Sequence, residues 1–433
     1  MSPRNLTPTL LVVVTLFFSL FADAKIISKE NYKYPIVDAD EATVASTAIH
    51  TPMSATQEMK IKLKDRKIRG YRDQRELLVR YYPSPWPTKQ LVFIISGIGG
   101  DTHSGYSMFL AHQTQMRGVD AVVVPNVINE NFIISSSSTG LVGGSAADGA
   151  DLYEALVKIK SDLASQGHHY DKVNLVGYSH GALLAAFIEA SDQRAMLSRG
   201  DALHFDSALL INPPVDLLHA IRTIDKRTQA TKSIGLKSLI KLAFRFHKLI
   251  GKFTKILTTP ESHLEFSHSL KMTPEQRFAL IGKALSVSLP SAILASQAID
   301  DLGVLPEVDI EGSVAYRPSV AARNNAAKNY SYEDYVLKFF SAHAMKTKSE
   351  PFSLDYLNQT NSLTSLVNVL HSTKSIFLMH NMDDMLLTNG QAYWLNELFG
   401  DRAIIYPTGG HLGNLWYPDN LNDYYRWLYY GRF

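Results

Sequence analysis

Ser179 lies at the centre of the sequence GYSHG, residues 177–181, with a glycine two positions away on each side. Glycine and serine are common enough that this pattern occurs by chance in about one chain of this length in ten, so the motif alone is weak evidence. Its context is more informative, because the apolar run VNLVG leads into it and ALLAAFIEA follows it. A strand that turns directly into a helix requires such glycines and exposes the serine hydroxyl, so the sequence predicts a nucleophile.

A serine hydroxyl is a poor nucleophile at neutral pH, and it needs a base and an acid that orients the base. The sequence TGGHLGN places His411 on a glycine-rich loop after the last predicted strand, and we predict that it is the base. HNMDDMLL follows the preceding strand and offers two acids. We favour Asp384, because Asp-x-Leu directs the next apolar residue into the core, and keep Asp383 as the alternative. The order Ser, Asp, His along the chain fits a strand-to-helix nucleophile.

Backbone N–H groups that stabilise an oxyanion are the remaining requirement. The first apolar strand, LVFIISG, leads into Gly-Ile-Gly-Gly at residues 97–100. We predict that the amide of His180, directly after the nucleophile, is one donor and that the amide of Ile98 is the second.

Short apolar runs alternate with helix-length segments on both sides of these residues. Strands are predicted at 91–97, 121–127, 173–177, 207–214, 375–380 and 403–409, and helices at 146–167, 182–191 and 390–400. Such alternation predicts an α/β fold in which a mostly parallel sheet is covered by helices on both faces.

The remaining segments complete the predicted organisation. Residues 25–60 are interpreted as an irregular N-terminal extension, and the alternating stretch at 60–82 as a hairpin of exposed strands. The core is predicted at 61–217 and 371–433. Residues 218–370 contain no clear buried strand and are predicted to form a helical cap inserted between two strands.

Several of these motifs together resemble those of the α/β-hydrolases, in particular a branch of esterases and acylglycerol lipases. The motifs are SGIGGDTHSGY, RGVDAVVVPN, GYSHG, NPPVDL, MDDM and GGHLG. The resemblance covers about residues 90–217 and 375–433. It implies that the chain has an α/β-hydrolase fold and that it hydrolyses small-molecule or lipid acyl esters without a metal or organic cofactor. Two features depart from that branch: an export signal predicted at residues 1–24 and the large insertion at 218–370, which would form the acyl pocket.

Two alternatives remain open at this stage. Amide or peptide hydrolysis by the same triad is one, because fold and triad do not determine the leaving group. A non-catalytic binding or membrane-associated module on a hydrolase scaffold is the other. A shared metal at His263 and His268 is disfavoured, because their spacing turns the two rings away from a common helix face.

The N-terminal residues predict export. Residues 1–24 combine an early arginine, an apolar stretch and the small-residue pattern Ala-Asp-Ala, which is typical of a signal peptide cleaved after Ala24. The chain has no cysteine, which fits a bacterial periplasm or extracellular space better than an animal secretory pathway. The oligomeric state does not follow from the sequence.

Charge is distributed unevenly along the chain. The net charge of +2 predicts no nucleic-acid partner. However, residues 219–257 contain ten Lys or Arg and one Asp, and the segment 234–257 is an amphipathic, basic helix by its pattern. Packing of its apolar face on the core is the favoured interpretation, and contact with an anionic membrane surface is the alternative.

Overall fold

The part of the chain that the structure describes is built around one sheet of nine strands, which are numbered in chain order and lie across the sheet as β1-β9-β8-β7-β6-β4-β5-β3-β2. In chain order, the strands β1 to β9 are Lys25–Ile26, Gln57–Ile61, Leu77–Tyr82, Gln90–Ile95, Asp120–Val124, Lys172–Tyr178, Ser207–Ile211, Ile376–Asn381 and Ala403–Tyr406. β3 is antiparallel to both of its neighbours, and the pairs from β5 to β1 are parallel.

This topology is that of the α/β-hydrolase fold, with β1 as an additional edge strand. The central strands are apolar because helices cover both of their faces. Along β4, Phe93 and Ile95 belong to one hydrophobic cluster, whereas Val92 and Ile94 belong to the cluster on the opposite face. The predicted fold class is confirmed.

The structure is a computed structural model. It describes residues 25–49, 51–198, 200, 202–235, 238, 241, 244, 245, 248, 249, 259–309, 311–349 and 352–433. The predicted signal peptide at 1–24 lies outside these residues, and so does most of the predicted basic helix at 234–257.

The structure corrects the prediction of exposed hairpin strands at 60–82. β2 and β3 do form an antiparallel pair, but β3 is also paired with β5 and therefore lies inside the sheet. Its residues Leu77, Val79 and Tyr81 are buried. Most of the charged residues of this stretch lie in the connection 62–76 between the two strands.

The prediction that residues 25–60 are irregular is also wrong. This segment contributes β1, the helix Ala39–Ala45 and most of β2. Asp38 caps that helix by accepting a hydrogen bond from the Glu41 amide. Tyr32 and Tyr34 are buried against aromatic rings near the C-terminus, among them Tyr417. Aromatic packing between distant segments leaves no periodic pattern in the sequence, so the sequence did not reveal this part of the core.

Helices cover both faces of the sheet. Within the described residues, α1 to α17 in chain order are Ala39–Ala45, Gly105–Gln115, Glu130–Ser135, Ser145–Ser165, His180–Ser198, Leu217–Gln229, Thr231–Ile234, Pro260–Leu270, Pro274–Ser286, Leu289–Ile299, Tyr316–Ala327, Tyr332–Tyr335, Ser341–Thr347, Leu354–Asn361, Val367–Ser372, Gln391–Phe399 and Pro418–Tyr430. A π-helical turn, Val336–Phe340, connects α12 to α13.

Every described element between β7 and β8, where the insertion is predicted, is helical. α9 packs on α6 and on α1, and α10 packs on α3. The stretch Pro274–Ile299, which comprises α9 and α10, is long and apolar enough to cross a membrane by length and composition. Its packing on other helices gives its apolar residues a role in the core.

Candidate active site

Ser179 occupies a sharp turn between a strand and a helix. β6 ends at Tyr178 and α5 begins at His180, so the serine is the single residue between them. Its backbone has a positive φ of 56°, a conformation that costs energy for a residue with a side chain. The Ser179 amide donates a hydrogen bond to the carbonyl of Ile211 on the neighbouring strand, at 2.8 Å. The turn is thereby tied to the edge of the sheet.

The two glycines of the motif are required by close backbone contacts. A Cβ atom on Gly177 would lie 2.1 Å from the carbonyl oxygen of Gly181. A Cβ atom on Gly181 would lie 2.3 Å from the carbonyl oxygen of Ile95 on β4. Backbone atoms cannot move away from such a contact as a flexible side chain can, so no other residue fits at either position without displacing the turn.

The structure brings Ser179, His411 and Asp384 into one line of hydrogen bonds. The distance between Ser179 Oγ and His411 Nε2 is 2.8 Å, and the distance between His411 Nδ1 and Asp384 Oδ2 is also 2.8 Å. Because an ionised carboxylate only accepts hydrogen bonds, Nδ1 carries the proton. Nε2 is then the acceptor for the serine hydroxyl. All three residues are buried, each about 4% exposed.

Asp384 is held as a carboxylate by its surroundings. It accepts hydrogen bonds from Asn212 Nδ2 at 2.8 Å and from the amide of Leu386 at 2.9 Å. Burial by itself would raise the pKa of the Asp384 carboxyl, but the charge and hydrogen bond of His411, with smaller contributions from His380 and the Leu386 amide, hold it below its usual range. A charged Asp384 keeps His411 in the tautomer that accepts the serine proton.

Asp383, the alternative acid, contacts the backbone of the histidine loop. Its carboxylate accepts hydrogen bonds from the amides of Gly410 at 2.8 Å and Gly409 at 3.2 Å. Burial raises the pKa of Asp383 to about 6, although these two amides oppose the shift. Asp383 is therefore placed to fix the position of His411 through the loop.

Three further residues hold the same loop, and sequence reasoning missed them. Asn381 donates to the carbonyl of Gly410 at 2.8 Å and exchanges hydrogen bonds with Asn414. Thr43 Oγ1 accepts a hydrogen bond from the His411 amide at 2.9 Å and donates one to the carbonyl of Ala39. Asn381 directly precedes the quoted MDDM motif, which is a local signal. Thr43 lies 368 positions before His411 and had no such signal.

The turn at residues 97–100 borders Ser179. The Gly100 amide donates to the Gly97 carbonyl at 2.8 Å, so Ile98 and Gly99 lie at the tip of the turn. Gly99 has a positive φ of 68°, which favours glycine at this position. Ile98, whose amide is the second predicted oxyanion donor, lines both cavities beside Ser179.

His180, the other predicted oxyanion residue, is the first residue of α5. An amide in the first turn of a helix has no acceptor inside the helix, so it is available to a ligand. The side chain of His180 is buried beside Asn126, and burial lowers the pKa of its imidazole to about 4. The low pKa favours a neutral ring at neutral pH, so a positive charge on the His180 side chain is not part of the site.

Two cavities meet at Ser179. The larger has a volume of about 380 Å³ and is lined in part by His411, Leu412 and Tyr106. The smaller has a volume of about 50 Å³ and is lined in part by His180 and Leu386. Ser179 therefore lies where the two cavities adjoin.

No group of three or more His, Asp or Glu side chains in the described part of the chain is arranged to hold a metal ion. His263 stacks on the indole of Trp416, with ring centroids 3.6 Å apart and an angle of 7° between the planes. The His263 ring therefore packs against an aromatic side chain.

No protein-family model matches the chain, and no curated protein matches it in sequence. Among solved structures it is similar to an arylesterase, with 16% identity over 92% of this chain and 90% of that one and a TM-score of 0.40. It is also similar to esterase B from Lactobacillus rhamnosis, with 12% identity over 90% of this chain and 89% of that one and a TM-score of 0.40. A third similar structure is acylaminoacyl peptidase from Pyrococcus horikoshii, with 10% identity over 87% of this chain and a TM-score of 0.40. The match covers 41% of that protein, so the chain spans less than half of its length. At this level the likeness does not extend to activity or substrate.

Proposed function

We propose that the protein is an exported serine hydrolase that cleaves carboxylic esters, with Ser179 as nucleophile, His411 as base and Asp384 as the orienting acid. The observation that carries this proposal is the unbroken line of hydrogen bonds through these three side chains. It ends at a hydroxyl that borders both cavities, where a carbonyl group can approach it. The strained backbone at Ser179 supports the proposal, because residues in unfavourable backbone conformations are concentrated at active sites.

In the first half of the reaction, Ser179 Oγ forms a bond to the ester carbonyl carbon while its proton passes to His411 Nε2. The negative charge moves to the carbonyl oxygen, which accepts hydrogen bonds from the backbone N–H groups of Ile98 and His180. Asp384 stabilises the imidazolium form of His411. The bond to the alcohol oxygen then breaks, and that oxygen takes the proton from His411.

The acyl group is now esterified to Ser179. In the second half, a water molecule gives one proton to His411 Nε2 and attacks the acyl carbon. The same two amides stabilise the second oxyanion. The carboxylic acid leaves as Ser179 Oγ takes back the proton from His411. The cycle consumes one water and needs no metal or organic cofactor.

A fluorophosphonate probe tests the nucleophile directly. We expect it to label the folded protein at Ser179, identified by mass spectrometry of the labelled peptide, because a serine activated by an adjacent base attacks the phosphorus of the reagent. Failure to label the folded protein would favour a non-catalytic module. Matched p-nitrophenyl esters and p-nitroanilides then separate the reactions, and a higher kcat/KM on the anilides would favour amide hydrolysis.

The position of the histidine loop depends on Thr43 in this proposal. Thr43→Val keeps the shape of the side chain but removes the acceptor of the buried His411 amide. We expect kcat for ester hydrolysis to fall about tenfold, since leaving such a group unpaired costs about 1–3 kcal/mol. Thr43→Ser keeps the hydroxyl and is the control, expected to restore kcat. Unchanged kcat and KM in a folded Thr43→Val protein would show that this contact does not position the base.

Export is the part of the proposal that rests on residues 1–24 alone. It places the reaction in a periplasm or extracellular space. The measurement is the N-terminal sequence of the protein recovered from its native compartment, which we expect to begin at Lys25. A cytoplasmic protein that retains Met1 would contradict export without affecting the proposed chemistry.

A further inference from the structure

The two cavities at Ser179 differ in which side of the nucleophile they occupy. His411 and Leu412 line the larger cavity, whereas His180 and Leu386 line the smaller one. Ser179, Ile98 and Leu285 line both. The reacting carbonyl carbon must bond to Ser179 Oγ at the junction, so its two substituents extend in different directions.

Proton transfer determines which substituent enters which cavity. The alcohol oxygen must receive its proton from His411 Nε2, so it must leave on the side of His411. That side is the larger cavity. The acyl chain extends from the other side of the carbonyl carbon and enters the smaller cavity.

We infer that the substrate is a neutral ester of a short acyl group and a larger alcohol, with the acyl group in the 50 Å³ cavity and the alcohol in the 380 Å³ cavity. This inference rests on the proposed function, because it requires an acyl-enzyme at Ser179. It goes beyond it by dividing the substrate between two sets of residues.

The walls of the smaller cavity are suited to hydrocarbon. Nine of its fifteen lining residues are aliphatic. They are Ile98, Ile128, Leu217, Ala220, Ile221, Ile224, Leu285, Val336 and Leu386. Two tyrosines also line it, but their hydroxyls are engaged elsewhere. Tyr332 donates to the carbonyl of Leu285 at 2.9 Å, and Tyr335 donates to the carbonyl of Val142 at 2.8 Å. The rings therefore offer apolar surface to a ligand.

The size of the smaller cavity limits the acyl chain. A water-sized group requires about 10–15 Å³ of such volume, so about 50 Å³ admits roughly three to five non-hydrogen atoms. An acyl chain of about butyryl to pentanoyl length fits this space. A longer chain has to displace packed side chains of the cap, which interiors at native packing density resist.

The larger cavity has a different lining. Thr43, Ser46 and Thr47 contribute hydroxyl-bearing side chains on one side, and apolar residues of α9, including Leu280 and Ile281, contribute the other. Among the described residues that line it, Asp101 is the one carboxylate and none is Lys or Arg. A negative group at the rim disfavours an anionic alcohol, so a neutral alcohol with both polar and apolar surface is the match.

The unaltered protein tests the inference with two ester series followed by acid release. Hexyl butyrate is expected to exceed hexyl octanoate in kcat/KM by at least about tenfold, since methylene groups that do not fit a pocket cost about this much. Among butyrates, kcat/KM is expected not to fall from methyl to hexyl. Equal or faster cleavage of the octanoate, or a preference of about tenfold for the methyl ester, would overturn the inference.

Two variants test which cavity determines the acyl preference and which determines the alcohol preference. Ala220, on α6, lines only the smaller cavity, and Ala284, on α9, lines only the larger. Ala220→Val is expected to lower the ratio of butyrate to acetate cleavage about fivefold or more, and Ala284→Leu to leave that ratio within about twofold while lowering the ratio of hexyl to methyl esters. Each ratio compares two substrates in one protein sample, so a loss of folded protein cancels.

The variants and the probe separate two kinds of failure. One outcome is that Ala220→Val changes the ratio of hexyl to methyl esters and leaves the ratio of butyrate to acetate unchanged. In that case the assignment of the acyl group and the alcohol to the two cavities is wrong, although the protein is an esterase. If no ester is cleaved and a fluorophosphonate does not label Ser179, the proposed function fails, and this inference fails with it.

Discussion

We expect Ser179→Ala to lower kcat for ester hydrolysis by about 10⁴-fold or more, because the atom that forms the acyl bond is missing. The backbone turn is expected to persist, since the contacts that fix it involve the Ser179 amide, Gly177 and Gly181 rather than the hydroxyl. The measurement is the steady-state rate with hexyl butyrate, together with the thermal unfolding curve of the variant. Loss of activity in a protein that unfolds at an unchanged temperature assigns the effect to chemistry.

Ser191 offers a matched control on α5, the helix that begins directly after Ser179. It is also buried, and its hydroxyl donates to the carbonyl of Phe187 at 3.0 Å within α5. Ser191→Ala removes a serine hydroxyl from α5 outside the cavity linings, and we expect its kcat to stay within about threefold of the unaltered value. Ester hydrolysis at the normal rate by a folded Ser179→Ala protein would refute the assignment of the nucleophile.

The sheet and the order of the site residues could be predicted because both leave local signals. An apolar run marks each buried strand, and residues at the ends of parallel strands meet at one sheet edge. Ser179, Asp384 and His411 each follow such a run in the sequence. Their closeness in space therefore follows from the strand order, although they are far apart along the chain.

The contribution of the N-terminal segment could not be predicted in this way. Thr43 contacts the His411 amide through one hydroxyl, and a single threonine in a seven-residue helix has no distinguishing pattern. Gly410 depends on the same segment, because a Cβ atom on it would lie 2.1 Å from the carbonyl oxygen of Ala39. Such contacts depend on how distant segments pack together, and no local pattern in the sequence indicates which residues will meet.

The cavities depend on how closely the cap helices approach one another. Helical content between β7 and β8 was predictable from the sequence, but helix contacts were not. A Cβ atom on Gly282 would lie 2.3 Å from the carbonyl carbon of Arg227, so this glycine lets α9 pack directly on the backbone of α6. Arg227 also pairs with Asp40 of α1. These contacts position the walls of both cavities, and one glycine within a helical pattern does not reveal its partner.

Replacing the two neighbouring aspartates separately is expected to give very different results. Asp384→Asn should lower kcat about 10⁴-fold, because an amide neither stabilises the imidazolium of His411 nor holds Nδ1 as the donor. Asp383→Asn should lower kcat about tenfold at most. An amide oxygen still accepts from Gly410, and only the longer hydrogen bond from Gly409 is lost.

Asp383 has a second, independent signature in the pH dependence of stability. Burial raises the pKa of its carboxyl from 3.8 to about 6 in the folded protein, so between these values the folded state binds more protons than the unfolded chain. The contribution of this group therefore makes the free energy of unfolding fall as pH rises from about 4 to about 6. Asp383→Asn is expected to remove that slope, measured by denaturant unfolding across the range.

The kinetic and the stability measurements together identify the acid. If Asp384 orients His411, Asp384→Asn loses turnover, and kcat stays low from pH 6 to pH 9 because the missing carboxylate cannot be restored by pH. If Asp383→Asn instead shows the 10⁴-fold loss while Asp384→Asn remains active, the roles of the two aspartates are reversed. A third outcome is a comparable loss of kcat in both variants with unchanged unfolding temperatures. It would mean that the two aspartates act on His411 as one unit, Asp384 by orienting the ring and Asp383 by fixing residues 409–410. Removing either aspartate would then have the same effect as removing both.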